Sequence, residues 1–341
     1  MTAATRAEYR MLRYCVRRVV LVLPVVWAVM TLLFLAFFAL PGDTVEAMAG
    51  ERAVTPAVRE NIEAKLGLDQ PWYVQYGRYW KRIAVGDLGQ SFQSFRSVND
   101  VVKESSPASL RLAFWALVIQ AVVGIGVGAV AAVRRSSVLD AVTTVSTAML
   151  VALPAFVLGY LLQMLFGVYA FEKDLPSWAR FPVQGIGPDS WAFGVLPTGT
   201  QWRHLLLPAL TLAAASTAVV VRMTRTTMAE ALGAAYVRTA VAKGLGRRKV
   251  LGHALKNAAV PVMTFVGVNL GAVIGSAILT ETVFNWPGIG SQIATAVHAR
   301  DAPIVLGLSL VVVMAYVLVN LALDLAHAWL DPRVRSAGGD R

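Results

Sequence analysis

Six long stretches of this 341-residue chain contain no charged side chain, and they constrain its fold more than any other feature. A helix needs roughly 17–25 residues to cross the hydrocarbon core of a bilayer, and most of the six have that length. The six are Val19–Leu40, Leu112–Val133, Ala141–Ala170, Leu205–Val221, Ala258–Leu279 and Ala302–Leu323. The sequence therefore predicts an all-α integral membrane protein with six transmembrane helices.

Two of the six stretches depart from the usual length. The third, Ala141–Ala170, is longer and is expected to bend at Pro154, because proline removes a hydrogen bond from a helix. The fourth, Leu205–Val221, is near the lower limit. The composition agrees with a membrane protein, since only 15% of the residues are charged against about 25% in a typical soluble domain.

The distribution of charge predicts the orientation of the chain. Six spans place both termini on one side, and a cytoplasmic N-terminus puts 18 of the 31 Lys and Arg residues there with 6 of the 20 Asp and Glu. Basic side chains resist translocation, so an N-in, C-in topology follows. The net charge of +11 is then explained without nucleic acid. The first apolar stretch exceeds the roughly 7–15 residues of a signal-peptide core, which favours an uncleaved first helix.

The loop between the first two spans, residues 41–107, is predicted to be a helical extracytoplasmic insertion. Thr55 and Pro56 are typical of a helix start, and Gly67 is typical of a helix end. A second helix is expected after Pro71, with an aromatic face. The insertion is either a scoop that meets a delivery partner or a cap packed on the bundle. A second outer loop, residues 171–203, has no clear periodicity and is interpreted as a loop over the pore mouth.

The loop between the fourth and fifth spans, residues 222–256, carries eight positive charges and no long apolar run. Its pattern predicts a helix capped by Thr226 that runs through Tyr236, then a break at Gly244–Gly246. A basic helix follows and leads into the fifth span at Pro261. Glycine permits the sharp reversal at the break. A basic helix pair with small residues favours a docking surface for another protein, and binding to anionic lipid headgroups is the alternative.

Motifs for catalysis are missing from the sequence. It contains no Walker-type loop, no His-Glu-x-x-His motif and no Gly-x-Ser-x-Gly elbow. The four histidines are dispersed, and the single cysteine, Cys15, gives neither a disulfide nor a thiolate metal site. We therefore expect a non-catalytic chain with no metal and no cofactor of its own.

The spans also lack the membrane carboxylates that ion-coupled carriers use. A substrate path would have to be lined by uncharged polar groups, although hydrogen bonds between helices are their commoner role. The candidates for the translocation path are Gln120, Thr143, Ser146, Gln163, Asn269 and Ser276.

The segment Tyr236–Leu245 resembles the cytoplasmic loop signature of ABC importer permeases, which is Glu-Ala-Ala followed by a glycine after three more residues. Arg238-Thr239-Ala240 stands where the family has Glu-Ala-Ala, and Gly244 has the right spacing. Five further segments match the peptide branch of that family. They are Leu40–Asp43, Leu66–Pro71, Gly86–Phe92, Glu281–Gly290 and Asp331–Arg335.

Together the six motifs resemble the dipeptide/oligopeptide/nickel permease family, and within it the first of the two permease subunits. The resemblance implies one transmembrane domain over residues 1–341 in the bacterial cytoplasmic membrane. It implies a second permease as heterodimer partner, two ATPase subunits that bind ATP and Mg, and an extracytoplasmic substrate-binding protein. The cargo would be short peptides or, alternatively, nickel, glutathione or haem.

The resemblance also assigns roles to residues. The cytoplasmic coupling helix, which contacts an ATPase, would comprise Tyr236, Val237, Arg238, Thr239, Ala240, Lys243, Gly244 and Leu245. The segment with Glu281, Phe284, Trp286, Pro287 and Gly288 would shape an outer gate or docking surface, and a structural turn is an equal alternative. Two rival hypotheses are a self-sufficient carrier or channel and a membrane enzyme, and each lacks its expected residues.

Overall fold

The computed structural model describes residues 20–36, 45, 55–67, 69–188 and 191–330, and most of them are helical. The helices are α1 (Val20–Ala36), α2 (Pro56–Leu66), α3 (Trp72–Ala84), α4 (Val98–Val133), α5 (Val138–Ala152), α6 (Ala155–Glu172), α7 (Gln201–Gly233), α8 (Ala235–Ala242), α9 (Arg247–Val268), α10 (Leu270–Val283), α11 (Ile289–His298) and α12 (Ala302–Leu330). A short hairpin pairs β1 (Trp191–Ala192) with β2 (Leu196–Pro197). Cys15 and the motifs Leu40–Asp43 and Asp331–Arg335 lie outside the described residues.

Several of these helices have the length and apolar composition of membrane spans. Four qualify alone, namely α4, α6, α7 and α12, and the bent pair α9–α10 makes a fifth. The helices α1 and α5 are apolar but shorter. The prediction of a mostly helical protein with several spans is confirmed, and the count of six stays a prediction.

The chain divides into two units, and the first combines residues 1–107 with residues 288–341. Its core is formed by α1 and α12, through Val26, Met30 and Phe34 on one helix and Leu306 and Leu310 on the other. Aromatic side chains of α3 pack on this core. Near it, the buried Asp301 carboxylate accepts hydrogen bonds from the Ser91 hydroxyl and from the backbone N–H of Phe92, at 3.0 Å for the latter.

The two short helices predicted between the first spans are present in this unit. The helix α2 begins after Thr55 and ends at Gly67, whose φ of 68° is left-handed, although the Thr55 side chain forms no capping hydrogen bond. Tyr76 of α3 shares a 2.7 Å hydrogen bond with Thr31, and its ring meets Phe34 edge-on at 5.2 Å. These contacts show α3 packed against α1, as expected for a cap.

The second unit, residues 108–287, is organised around α7. The helices α5, α6, α9 and α10 all contact α7. The part of α4 in this unit also packs on α7, and two glycines bring their backbones together. A Cβ atom at Gly124 would lie 2.5 Å from Val220, and one at Gly128 would lie 2.6 Å from Thr224. Small residues four apart allow this close approach between apolar helices.

The long third apolar stretch is interrupted at Pro154, as predicted. The helix α5 ends at Ala152, and α6 resumes at Ala155. Both helices run antiparallel to α7. Asp140 of α5 contacts Arg225 of α7, whereas Gly159 of α6, later in the chain, lies against Thr211, which comes earlier on α7. The two helices therefore run along α7 one after the other, as expected of one bent span.

One predicted helix start, at Thr226, was wrong. Thr226 does not cap a helix, because α7 continues through it to Gly233 and the Thr226 hydroxyl donates to the Arg222 carbonyl oxygen at 3.1 Å. Tyr236 belongs instead to α8. The basic helix predicted after the glycine break is α9, which begins at Arg247 and continues through Pro261 into the fifth apolar stretch. That stretch breaks at Asn269, with a bend of 53° between α9 and α10.

Candidate functional site

The basic loop forms an elbow, a name we use for residues 234–246, with α8 at its centre. Ala234 leaves the helical conformation with a ψ of 153° and separates α7 from α8. After α8, Gly244 takes a φ of 77° and the chain turns into α9 at Gly246. The predicted break at Gly244–Gly246 is therefore present. A Cβ atom at Gly244 would meet nothing within 4 Å, so the turn itself, rather than close packing within this chain, requires glycine there.

The elbow has a buried side and an exposed side. Val237 is 7% exposed, and Ala240 and Leu245 are half-buried. The other predicted coupling residues are exposed, namely Tyr236, Arg238, Thr239, Lys243 and Gly244. Within the described ranges, the side chains of Arg238 and Lys243 form no ion pair or hydrogen bond. The exposed side of the elbow thus presents two cations and a tyrosine whose side chains have no partners among the described residues.

A cavity of about 330 Å³ lies beside the elbow. It is lined by Val133, Leu232, Val241, Leu245, Arg247, Val250 and Leu251, which come from α4, α7, the elbow and α9. Next to it, Met228 of α7 packs on Ala254 and Ala258 of α9. The two helices on either side of the elbow, α7 and α9, therefore contact each other directly.

A polar cluster lies at the break in the fifth apolar stretch. The Asn269 amide donates to the Ser216 hydroxyl oxygen of α7 at 2.7 Å and to the Gln120 side-chain oxygen of α4 at 3.4 Å. Gln120 is fully buried, whereas Ser216 and Asn269 are half-buried. Of the six candidate path residues, these contacts bring together Gln120 and Asn269.

The other four path candidates have separate local environments. The Gln163 amide donates to the carbonyl oxygens of Val183 and Val283 at 2.8 and 3.0 Å. Thr143 and Ser276 bond to carbonyl oxygens of their own helices. Ser146 is exposed. The role of all six residues in a translocation path stays a prediction.

The predicted gate segment is mostly buried. The side chains of Glu281, Phe284 and Trp286 are at most 1% exposed, Gly288 is buried and Pro287 is exposed. Within the second unit, the Ser109 hydroxyl donates to the Glu281 carboxylate at 2.6 Å, and the Trp286 indole donates to the Ala108 carbonyl oxygen at 2.9 Å. In this conformation the Glu281 and Trp286 side chains link the C-terminal end of α10 to α4 by hydrogen bonds. They are buried and do not form a surface that a partner could contact.

Two protein-family models match this chain. The model for the inner membrane component of binding-protein-dependent transport systems matches residues 124–336. The chain belongs to this family. The model for the N-terminal part of the same membrane components matches residues 11–113. The chain is therefore a multi-pass transport permease of the cytoplasmic membrane, and such permeases are normally not catalytic.

Similar proteins match over nearly the whole chain. A dipeptide transport system permease protein of Alkalihalophilus pseudofirmus is 35% identical over 95% of this chain and 100% of its own length. A probable D,D-dipeptide transport system permease protein of Escherichia coli is 40% identical over 93% of this chain and 95% of its own length. A di/tripeptide transport system permease protein of Pseudomonas aeruginosa is 38% identical over 95% of this chain and 99% of its own length. The expected dipeptide/oligopeptide permease family is thereby confirmed.

One ion pair close to the elbow of this permease was not predicted from the sequence. It joins Asp140 of α5 to Arg225 of α7. They are 85 positions apart, so no local periodicity signals their contact. The available clue was that both charges sit beside apolar stretches, where a lone charge is costly.

Proposed function

We propose that this chain is the permease subunit of an ATP-driven importer that carries dipeptides or other short peptides into the bacterial cytoplasm. The observation that carries the proposal is its near full-length similarity, at 35–40% identity, to permeases named for dipeptides and tripeptides. These names favour a peptide cargo over nickel, glutathione or haem. The scarcity of carboxylates in the apolar stretches argues against a self-sufficient ion-coupled carrier.

The topology that we propose has six spans with both termini in the cytoplasm. The spans are α1, α4, the bent pair α5–α6, α7, the bent pair α9–α10, and α12. The excess of basic residues in the segments assigned to the cytoplasm supports this orientation. It places the elbow inside the cell, and it places α2, α3 and the hairpin outside.

We further propose that the exposed side of α8 seats in a cleft of an ATPase subunit. Two features support this role. Arg238 and Lys243 are exposed and have no partner within the described chain, so their charges are available to another protein. The 33-residue α7 runs without a break from the membrane part to the elbow. A displacement of α8 is therefore transmitted along α7 to the membrane part rather than absorbed between them.

The assembly that we propose contains a second, similar permease, two ATPase subunits and an extracytoplasmic substrate-binding protein. ATP and Mg bind to the ATPase subunits, and this chain contributes the coupling helix and one half of the passage. Binding of ATP would close the ATPases and move the coupling helices. The spans would then alternate between outward and inward access.

The test is uptake by the reconstituted assembly. The chain is co-expressed with the second permease, the ATPases and the binding protein encoded beside it, and labelled dialanine uptake into proteoliposomes is measured. We expect uptake that requires ATP, the binding protein and this chain, and that is lost when the ATPases carry an inactivating substitution. Uptake of dialanine by the isolated chain without ATP would contradict the proposal, as would ATP-driven uptake of a nickel chelate but not of dialanine.

A further inference from the structure

An ion pair between two apolar helices of the second unit joins Asp140 of α5 to Arg225 of α7. The Arg225 guanidinium donates to both carboxylate oxygens of Asp140, from Nε at 2.5 Å and from Nη2 at 2.8 Å. The Asp140 side chain is 8% exposed and the Arg225 side chain 34%. A two-pronged pair of this kind fixes direction as well as distance, because both planar groups must lie side by side.

The turn before α5 completes the environment of Asp140. The backbone N–H of Ser136 donates to Asp140 Oδ2 at 3.0 Å, and the Ser137 hydroxyl accepts from the backbone N–H of Asp140 at 3.3 Å. The Asp140 carboxylate thus accepts hydrogen bonds from both the Arg225 guanidinium and the Ser136 backbone N–H, so the pair ties both the turn and α5 to α7.

The same part of α7 is held from a second side by α4. A Cβ atom at Gly128 would lie 2.6 Å from the Val221 carbonyl oxygen and 3.2 Å from the Arg225 backbone nitrogen. The backbones of α4 and α7 thus touch beside Arg225. Contacts from α4 and the charge of Asp140 together limit both sliding of α7 and its rotation about its own axis.

Arg225 also lies close to the elbow along a continuous helix. Gly233 lies eight positions further along α7, which is about 12 Å of helix. On that stretch the Thr227 hydroxyl reaches the Ala258 carbonyl oxygen of α9 at 3.4 Å. The ion pair therefore acts on α7 at the place where a displacement of the elbow enters the bundle.

We propose that the Asp140–Arg225 pair is a positioning element that links the elbow to the span formed by α5 and α6, so that movement of α8 moves that span together with α7. This inference rests on the proposed function, because it assigns a second connection to the same coupling site. Arg225 sets the rotation of α7, and Asp140 transfers its displacement to α5. This role is one of positioning, and it assigns neither residue to cargo binding.

The test compares Arg225→Gln with the control Arg222→Gln in the reconstituted assembly. Arg222 lies one turn earlier on α7, and its exposed side chain has no hydrogen-bond or ion-pair partner in the described chain. The measured quantity is uptake of labelled dialanine per ATP hydrolysed. We expect a roughly tenfold fall for Arg225→Gln, within the usual range of coupling between distant sites, and no change for the control. Assembly with the ATPases and ATP hydrolysis should persist.

Two further variants separate positioning from folding. Asp140→Asn keeps the side-chain shape, and Arg225→Lys keeps the charge but loses the two-pronged contact, so both should lower uptake per ATP. The double variant Asp140→Asn/Arg225→Gln should fall no further than Arg225→Gln alone, because the pair acts as one unit. Parental uptake per ATP in Arg225→Gln would overturn the inference. Equal losses of assembly, hydrolysis and uptake in all variants would overturn it too, since they indicate a folding role. Failure of the proposed function differs, because the unaltered assembly would then show no ATP-driven uptake.

Discussion

The contact between α4 and α7 can be tested with one methyl group. In Gly128→Ala, the new Cβ atom lies 2.6 Å from the Val221 carbonyl oxygen and from the Thr224 Cβ atom. Ordinary contact begins at 3.4 Å, so the two helices must separate by about 0.8 Å. Overpacking of this kind costs about 1–3 kcal/mol of stability, because the neighbours are backbone and a β-branched side chain that cannot rotate away.

Gly126 provides the matched control on the same helix. A Cβ atom there meets nothing within 4 Å, and alanine favours helix over glycine by up to about 1 kcal/mol. The assay is thermal denaturation of the purified chain in detergent micelles, followed by tryptophan fluorescence. Gly128→Ala should melt below the parent, and Gly126→Ala should melt at or above it. Equal melting temperatures for the two variants would refute the close packing of α4 on α7.

Three other substitutions probe separate parts of the molecule. Gly244→Ala forces a left-handed conformation on alanine at about 1–2 kcal/mol, so ATP-driven uptake should fall while the melting temperature of the membrane part changes little; parental uptake would contradict the role of the turn. Phe193 lies at the tip of the hairpin, is 95% exposed and has a φ of 50°, which strains the backbone of a non-glycine residue. Phe193→Gly should relieve this strain, so the backbone amides of the hairpin should exchange more slowly in the variant than in the parent; slower exchange in the parent would contradict the strain. Asp301→Asn weakens the bonds from Ser91 and Phe92 and should lower the melting temperature by an amount typical of about 1–3 kcal/mol; an unchanged melting temperature would contradict this role of the carboxylate.

Local chemistry explains which features of the fold could be predicted. The absence of charge marks the apolar helices, because a charge in hydrocarbon is costly wherever it occurs. Pro154 and Gly244 mark a bend and a turn, because their covalent structure restricts or frees the backbone. Gly67 ends α2 for the same reason. Each of these residues acts through its own backbone, so one sequence is sufficient.

The features that escaped prediction depend on distant partners. Asn269 has no intrinsic preference for a break inside an apolar stretch, and its environment includes Ser216 and Gln120 on other helices. Thr226 resembled a cap, yet a threonine inside a helix can equally bond to the carbonyl oxygen four residues back, as it does here.

The candidate site likewise combines local features that the sequence predicts with contacts between distant residues that it does not. The spacing of Arg238, Ala240 and Gly244 marks the elbow in the sequence, because the whole motif is contiguous. The burial of Glu281 and Trp286 could not be read from their motif, since Ser109 and Ala108 supply their partners from α4. The Asp140–Arg225 pair likewise requires the packing of α5 along α7.

The central claim is that α8 contacts an ATPase subunit in the cytoplasm, and site-directed cross-linking tests it most directly. Thr239 is exposed on α8 and can be replaced by cysteine in a Cys15→Ser background, which has no other cysteine. In the complete assembly, a thiol-directed cross-linker at Thr239→Cys should join this chain to an ATPase subunit, and ATP should change the yield. Labelling of Thr239→Cys in intact cells by a membrane-impermeant thiol reagent, with no ATPase adduct, would contradict the claim.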